Sequence, residues 1–380
     1  MKRAKTLCVA AILAVLTATL WPFNPIPRNQ VAWISGGQGL RFQRPGLVLS
    51  KGYLSASSFA GESYSLELFI RPASVRSAYT ILGLYVPGRR RQFLVRQFKD
   101  GLLITHDASV ERDPTRTKKF DVDHVFQRGS LVLVTISFGP TGTTVYVNGR
   151  SEGSFPKFRI LRNELAGQVV IGTSPVIDQP WAGELHGLAI YSKELAAAEA
   201  LQHYNQWSDA GRNPISLDSA MNNAIVRYAF REGAGREVRE ETSNGPALEI
   251  PSTFFVPHKP FLQSPAAEFK PDRNYAIDVV LNVAGFIPLG LVLCAYLSWN
   301  ERPWNTILIT SFFCGALSLA IEMAQYYIPR RGSGITDIVT NTLGAAIGAL
   351  LVKSESLRSI LQRTGMIPQS AEQENTESMA

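Results

Sequence analysis

The sequence predicts a multidomain protein in which an antiparallel β-sandwich is inserted into a four-helix transmembrane α unit. Four apolar runs, at residues 7–23, 276–299, 307–327 and 335–352, each have about the length that crosses a bilayer as a helix. The polar stretch between the first two runs alternates apolar and polar residues with a period of two, which indicates strands. With 45% hydrophobic and 18% charged residues over 380 positions, the composition excludes a disordered or collagen-like chain.

The first element, residues 1–24, is predicted to be an N-terminal transmembrane signal anchor. Lys2, Arg3 and Lys5 precede its apolar run, and no small-x-small cleavage pattern follows it. Positive charge at this end places the N-terminus in the cytoplasm and the next domain outside, and four spans return the C-terminus to the cytoplasm. We therefore predict a multi-pass protein in contact with membrane lipid.

Residues 25–257 are predicted to form the sandwich, outside the cytoplasm. Short runs with period-two alternation indicate strands at 64–70, 131–138, 144–149, 167–172 and 182–191. The dipeptide Asn148-Gly149 is a strong signal for a hairpin turn. A short helix is expected at 194–204, after the last of these strands.

The phrases TVYVNG, VVIG and WAGELHGLAIYSKEL, followed by AAEALQHY, give this part of the chain a family resemblance. It resembles the laminin G-like, or concanavalin A-like, jelly-roll family, which implies a jelly-roll sandwich but no single function. Glycoside hydrolases of this architecture place paired carboxylates a few residues apart on one strand, and no predicted strand has them. Binding of a carbohydrate or another surface ligand stays open. Basic loops at 89–91 and 118–119 could meet an acidic glycan or lipid headgroups, or could be ordinary solvated surface.

The outer domain offers little evidence for other partners. The formal net charge is +7, but its lysines and arginines are scattered and membrane proteins carry such an excess for topological reasons, so we expect no nucleic acid partner. Four histidines lack metal-ligand spacing: His106, His124, His186 and His203. We expect no metal and no cofactor, with calcium at the sandwich rim left open. All three cysteines lie in apolar runs, so the sandwich has no disulfide.

Residues 258–275 are predicted to be a Pro-rich linker. Their prolines favour an extended stalk and exclude a continuous helix into the membrane. Three transmembrane helices are expected in the next segment, residues 276–353. Residues 354–380 are predicted to be a disordered cytoplasmic tail.

Polar side chains recur in the last three spans at spacings of three or four residues, which places each pair on one face of a helix. Because these spans alternate in direction, all of the polar pairs fall near the outer surface. Ionisable residues in a span usually face a partner or a water-filled cavity. We predict that eight residues form one outward-facing polar pocket: Asp278, Asn282, Glu322, Gln325, Arg330, Arg331, Asp337 and Asn341.

The roles expected in this pocket leave alternatives open. An arginine could pair an anionic group, and Glu322 could carry a proton or accept a hydrogen bond. Asp278 and Asp337 could instead be helix caps without any further function. Gly344 and Gly348 form a small-x-x-x-small pattern, which predicts close helix packing and not a ligand site.

The phrases NVAGFIPLG and SLAIEMAQYYIPRRGSGITDIVTNTLGAAIG give the helical segment a second resemblance. It resembles the VanZ-like family, named for a member associated with low-level teicoplanin resistance. The resemblance implies a bacterial inner-membrane protein of the cell envelope and suggests a link to glycopeptide antibiotic resistance, but it supplies no reaction.

Three hypotheses follow for the function, and a transporter is a fourth alternative that the small number of spans and the lack of an inverted repeat disfavour. The first is a VanZ-like envelope protein whose partners are an envelope glycan or a lipid-linked precursor. The second is a membrane enzyme acting on a lipid-linked or cell-wall precursor, with Glu322 and Asp337 as acid and base. The third is a non-catalytic glycan receptor whose helices serve as an anchor and associate as a homo-oligomer. Whether the protein is an enzyme stays open.

Overall fold

The computed structural model describes residues 2–59, 61–76, 78–89, 92–107, 117–209, 224–269, 271–298, 303–364 and 366–367. The chain divides into two compact units, Met1–Pro25 with Lys259–Ala380, and Ile26–His258. The first unit is helical and the second is built mainly from strands. Positions 90 and 91 of the predicted basic loop, and 368–380 of the predicted tail, lie outside the described residues.

The described residues contain the following helices and strands. The helices are α1 Lys2–Leu20, α2 Arg162–Leu165, α3 Ala197–Asp209, α4 Pro265–Glu268, α5 Arg273–Leu297, α6 Pro303–Tyr326, α7 Ile335–Leu351 and α8 Glu355–Arg363. The strands are β1 Val31–Trp33, β2 Leu40–Phe42, β3 Val48–Leu54, β4 Tyr64–Pro72, β5 Ala78–Tyr85, β6 Phe93–Phe98, β7 Gly101–Asp107, β8 Thr117–Val122, β9 Val132–Gly139, β10 Gly142–Val147, β11 Arg150–Phe155, β12 Gly167–Ile171, β13 Gly183–Tyr191, β14 Ala224–Tyr228, β15 Glu237–Val238 and β16 Leu248–Glu249.

The strands form two antiparallel sheets, each of eight strands within the described residues. The order in the first sheet is β1-β2-β13-β4-β9-β10-β11, with β14 also paired to β13. The order in the second is β15-β16-β3-β12-β5-β6-β7-β8. Alternate side chains of both sheets are buried in one core, as in β9, where Val134 and Ile136 are fully buried. The predicted antiparallel β-sandwich is confirmed.

The hairpin between β10 and β11 shows how local sequence sets the register. Asn148 and Gly149 both have positive φ, 51° and 77°, the combination that a type I′ turn requires. The Asn148 side chain also accepts a hydrogen bond from the backbone N–H of Leu133 at 2.9 Å, which ties the turn to β9. The helix expected at 194–204 is displaced towards the C-terminus, because α3 begins at Ala197 and ends at Asp209.

In the helical unit, α5 and α7 approach each other closely through glycines. A Cβ added to Gly344 or Gly348 would overlap backbone carbonyl oxygens of α5, and one added to Gly290 would overlap the Ala345 carbonyl oxygen. Small residues on both helices therefore allow backbone to approach backbone, as the small-x-x-x-small pattern predicts. Helix α1 packs against the same unit, where Cys8 and Cys314 are buried in a shared apolar cluster.

Three helices of the described residues are long and apolar enough to cross a membrane: Arg3–Leu20, Arg273–Leu297 and Asn305–Tyr326. Helix α7 has 17 residues. It qualifies only together with α8, from which it is bent by 78°. The fourth span thus stays a prediction.

The Pro-rich segment differs from the extended stalk that its prolines favoured. Lys259 Nζ donates hydrogen bonds to three backbone carbonyl oxygens around the end of α6, at 2.7–2.9 Å. Gln263 pairs with Gly334 in a parallel bridge. The carbonyl groups at the end of a helix lack intrahelical donors and attract a cation, so the segment folds against the loop between α6 and α7.

Candidate functional site

The helical unit contains a cavity of about 1000 Å³. Its wall is formed by α1, α5, the segment before α5, the end of α6 with the loop that follows it, and the first half of α7. Seven of the eight residues expected in a polar pocket line this cavity: Asp278, Asn282, Gln325, Arg330, Arg331, Asp337 and Asn341. Helix packing therefore brings side chains from separate helices to one wall.

Glu322, the eighth residue, lies behind the cavity wall. It is 1% exposed, and its Oε2 accepts a hydrogen bond from the Gly334 backbone N–H at 2.8 Å. Glu268 Oε2 accepts another from the Thr336 N–H at 3.1 Å. Both carboxylates satisfy N–H groups at the start of α7, where the helix dipole favours negative charge. Glu322 is therefore placed to hold the start of α7, away from the cavity surface.

Two amide side chains connect the helices around the cavity. Asn282 Nδ2 of α5 donates to Asp337 Oδ1 of α7 at 2.8 Å. Asn341 Nδ2 of α7 donates to Ser318 Oγ of α6 at 2.9 Å. These bonds fix the relative positions of three helices. Asp278 is exposed, and its side chain makes no hydrogen bond with another described residue.

The cavity wall is rich in hydrogen-bond acceptors. Asn341 is 4% exposed, and its Oδ1, like Thr336 Oγ1, is buried with no hydrogen-bond partner among the described residues. An unsatisfied buried polar atom costs about 1–3 kcal/mol, so a ligand that donates a hydrogen bond would be stabilised there. Four carboxylates also line the cavity: Glu268, Asp272, Asp278 and Asp337.

Arg331 or Arg330 was expected to pair an anionic group, and the structure gives Arg331 backbone partners. Its Nη2 donates to the backbone carbonyl oxygens of Ala18 and Trp21, at 3.3 and 3.0 Å. Gln325 Nε2 donates to the Thr19 carbonyl oxygen at 2.9 Å. The last carbonyls of α1 have no intrahelical donors, and a guanidinium there also complements the helix dipole. This contact gives a structural reason for an arginine in the loop between α6 and α7.

The sandwich contains a buried carboxylate whose role the sequence did not predict. Glu67 is fully buried, and it accepts hydrogen bonds from Thr135 Oγ1 at 3.1 Å, His203 Nδ1 at 3.0 Å, Tyr191 OH at 2.8 Å and Trp207 Nε1 at 3.1 Å. Burial, followed by the negative charge of Glu67, raises the pKa of Tyr191 well above its usual range. All four donors are satisfied inside the fold, so this network is structural. Its only sequence signal is an acidic residue between leucines, in YSLELFI.

Metal-ligating side chains do not cluster in the part of the chain that the structure describes. No group of three or more histidine, cysteine, aspartate or glutamate side chains is arranged there to hold a metal ion. The three cysteines are free and buried. The described histidines bond instead to single carboxylates or to an amide, as His106 does to Glu164 at 2.9 Å.

Family models match two parts of the chain. The family described as VanZ/LLP1 matches residues 228–359. The family described as the concanavalin A-like lectin/glucanases superfamily matches residues 50–200. Both resemblances stated from the sequence are confirmed. A search of curated proteins finds no match to the chain.

Solved structures resemble the chain distantly. A structure of botulinum neurotoxin type C is 11% identical, with a TM-score of 0.33 over 47% of this chain and 45% of that chain. For a putative carbohydrate binding protein from Bacteroides ovatus the identity is 12% and the TM-score 0.37, over 58% and 62%. For the Ruminococcus gnavus IT-sialidase CBM40 bound to sialyllactose they are 12% and 0.34, over 43% and 94%. The chain thus spans under half of the neurotoxin, and similarity this distant transfers no function.

Proposed function

We propose that this chain, which joins a VanZ/LLP1 region to a concanavalin A-like domain, is an integral membrane protein of the bacterial cell envelope that binds an envelope component in its polar cavity. The observation that carries this proposal is the cavity of about 1000 Å³, whose wall includes two buried side-chain oxygens that have no hydrogen-bond partner among the described residues. Such a wall favours a ligand rich in hydrogen-bond donors, such as the amino-sugar or amine-bearing head of a lipid-linked precursor.

A membrane setting for the helical unit is supported by its surface. Large apolar side chains are exposed on α5 and α6, among them Phe312 at 80%, Leu308 at 70% and Val280 at 64%. Soluble monomers rarely leave such a contiguous apolar surface in water, whereas lipid would cover it. With both termini in the cytoplasm, the polar cavity opens towards the exterior and the sandwich lies outside.

This orientation predicts the labelling of a single introduced cysteine. In intact cells, Asp278→Cys should react with a membrane-impermeant maleimide added from outside, because residue 278 is exposed at the cavity. Cys8, Cys294 and Cys314 are buried, so the unaltered protein should label weakly and serves as the control. Labelling that requires permeabilised cells would reverse the proposed topology.

The proposed link to glycopeptide resistance predicts the effect of removing one acceptor. Asp278→Ala should lower by several-fold the teicoplanin concentration that cells expressing the protein withstand, since it deletes a carboxylate of the cavity without breaking a described hydrogen bond. Glu355 is an exposed acidic residue at the start of α8, and Glu355→Ala should leave resistance unchanged when both variants are present in the membrane in equal amounts. Equal resistance in both variants and the unaltered protein would contradict a role for the cavity.

A membrane enzyme is the second candidate, because the two carboxyl groups suggested as acid and base both lie at the start of α7: Glu322 accepts a hydrogen bond from the Gly334 N–H, and Asp337 is in the first turn of α7. In that case Glu322→Gln should abolish resistance although the amide oxygen can still accept from Gly334. For the sandwich, we propose recognition of an envelope glycan, which the family match over residues 50–200 supports. Deleting the sandwich separates this role from that of the helical unit: a receptor loses its effect entirely, while a self-sufficient helical unit keeps it.

A further inference from the structure

A cleft of about 570 Å³ lies at one end of the first sheet of the sandwich. The neighbouring strands β2, β13 and β4 bring Arg41 and Arg71 opposite Glu184 in the register of the sheet. Glu184 accepts hydrogen bonds from Arg41 Nε at 3.1 Å and from Arg71 Nη1 at 2.6 Å. Opposite charges across neighbouring strands thus fix the two guanidinium groups on one side of the cleft.

Two further arginines line the same cleft. The Arg44 guanidinium lies 3.5 Å from the centroid of the Tyr79 ring, a stacking contact that orients a guanidinium without using all of its donors. Arg128 is exposed and has no hydrogen-bond or ionic partner among the described residues. The cleft therefore carries four guanidinium groups against Glu184, which is the single carboxylate in its described lining.

Glu184 keeps its negative charge at neutral pH. Burial alone would raise the pKa of this carboxyl, but the hydrogen bond from Arg41 and the charge of Arg71 outweigh burial and hold it below its usual value. Glu184 neutralises one of the two guanidinium groups that it binds. An excess of positive charge remains, and Arg44 and Arg128 are the groups with donors available to a ligand.

The rest of the lining distinguishes between kinds of anion. Gln43 and Ser74 add polar side chains, whereas Phe42 and Pro72 are buried below the cleft. The two largest apolar side chains of the lining are thus buried and are not available to an acyl chain. A concave space of this volume suits a ligand of a few sugar rings and is too small for a folded partner.

We propose that this cleft is a binding site for acidic saccharides, in which Arg44 and Arg128 hold a carboxylate of the sugar. A guanidinium pairs with a planar carboxylate through two parallel N–H···O bonds, which gives both strength and orientation. The proposal rests on the proposed role of the sandwich in glycan recognition and assigns it a place and a ligand class. Arg89, Lys118 and Lys119, which the sequence suggested as a basic ligand site, are not among the residues that line this cleft.

The test is calorimetric titration of the full chain in detergent with a panel of acidic oligosaccharides and their neutral counterparts. The panel comprises trigalacturonate with galactotriose, a hyaluronan tetrasaccharide with chitotetraose, and sialyllactose with lactose. At least one acidic member should bind at least tenfold more tightly than its neutral counterpart. The double variant Arg44→Gln/Arg128→Gln should lose this preference. Arg150, an exposed arginine of β11, lies at the opposite edge of the sheet, so Arg150→Gln should keep the preference.

Each contrary outcome has a distinct meaning. Equal binding of acidic and neutral members would overturn the acidic site but leave glycan recognition by the sandwich intact. Binding of no member would overturn both the site and the glycan role. Inorganic phosphate that competes as well as the best acidic sugar would show a general anion site, which contradicts recognition of a saccharide. An acidic preference that survives the double variant would place the site elsewhere.

Discussion

Replacing Glu67 with alanine is expected to destabilise the sandwich by about 3–5 kcal/mol, because each buried donor left without an acceptor costs about 1–3 kcal/mol. The substitution leaves four donors without an acceptor, from Thr135, His203, Tyr191 and Trp207. Trp207 lies against β13, where a Cβ added to Gly187 would overlap its ring. The loss should therefore loosen α3 from the first sheet as well as weaken the sheet itself.

Glutamine at position 67 should be less harmful, and the reason lies in the donor types. The Trp207 indole N–H can only donate, so the remaining amide oxygen must face Trp207 and Tyr191. The new amide N–H groups then face Thr135 and His203, and a hydroxyl or a neutral imidazole can accept a hydrogen bond. We expect Glu67→Gln to cost about 1–2 kcal/mol, the value of one or two net hydrogen bonds.

Hydrogen exchange in the full chain measures both variants. Exchange of the backbone amides of β4, β9 and β13 should accelerate strongly in Glu67→Ala and moderately in Glu67→Gln, while amides of α5 to α7 stay unchanged as an internal reference. Glu62→Ala, an exposed glutamate five residues earlier, is the matched control and should have no effect. Equal protection of β4 in Glu67→Ala and Glu62→Ala would show that the network contributes little to stability.

The Glu67 network also shows what the sequence could predict. Alternation marked β4 and β13 as strands, and the Asn148-Gly149 pair predicted the hairpin turn, because these features depend on neighbours along the chain. The partners of Glu67 come from β9, β13 and α3, up to 140 positions away. No local pattern specifies which donors meet a given carboxylate, so only the alternating strand, and not its buried charge, could be anticipated.

The polar cavity likewise has features that the sequence predicted and features that it did not. Helical spacing predicted which faces of the spans carry polar groups, and those groups do line one wall. Spacing did not predict that Glu322 would turn to the start of α7, or that Arg331 would reach the carbonyls of α1. Both contacts satisfy backbone groups at helix ends, and those ends meet only after the helices have packed. The contacts of the Pro-rich segment could not be predicted for the same reason, because Lys259 finds its acceptors at the end of α6.

The packing of α5 against α7 leads to the second large effect, a substitution of one added carbon. Gly348→Ala should destabilise the helical unit by about 3 kcal/mol, at the upper end of the usual cost of overpacking. The added Cβ would overlap the Ile287 carbonyl oxygen. A backbone oxygen in a helix cannot rotate away as a flexible side chain can, so α5 and α7 would have to move apart where they are in contact.

Gly285→Ala in α5 is the matched control, since a Cβ there meets no atom within 4 Å. Alanine favours a helix over glycine by about 1 kcal/mol, so this variant should unfold at the same temperature as the unaltered protein or a higher one. Thermal unfolding of the full chain in detergent, monitored by hydrogen exchange of the amides in α5 and α7, distinguishes Gly348→Ala from Gly285→Ala.

The cavity depends on the same contact between α5 and α7, because Asn282 of α5 bonds to Asp337 of α7. Gly348→Ala should therefore also abolish teicoplanin resistance. Resistance that survives the separation of α5 from α7 would place the functional site outside this cavity.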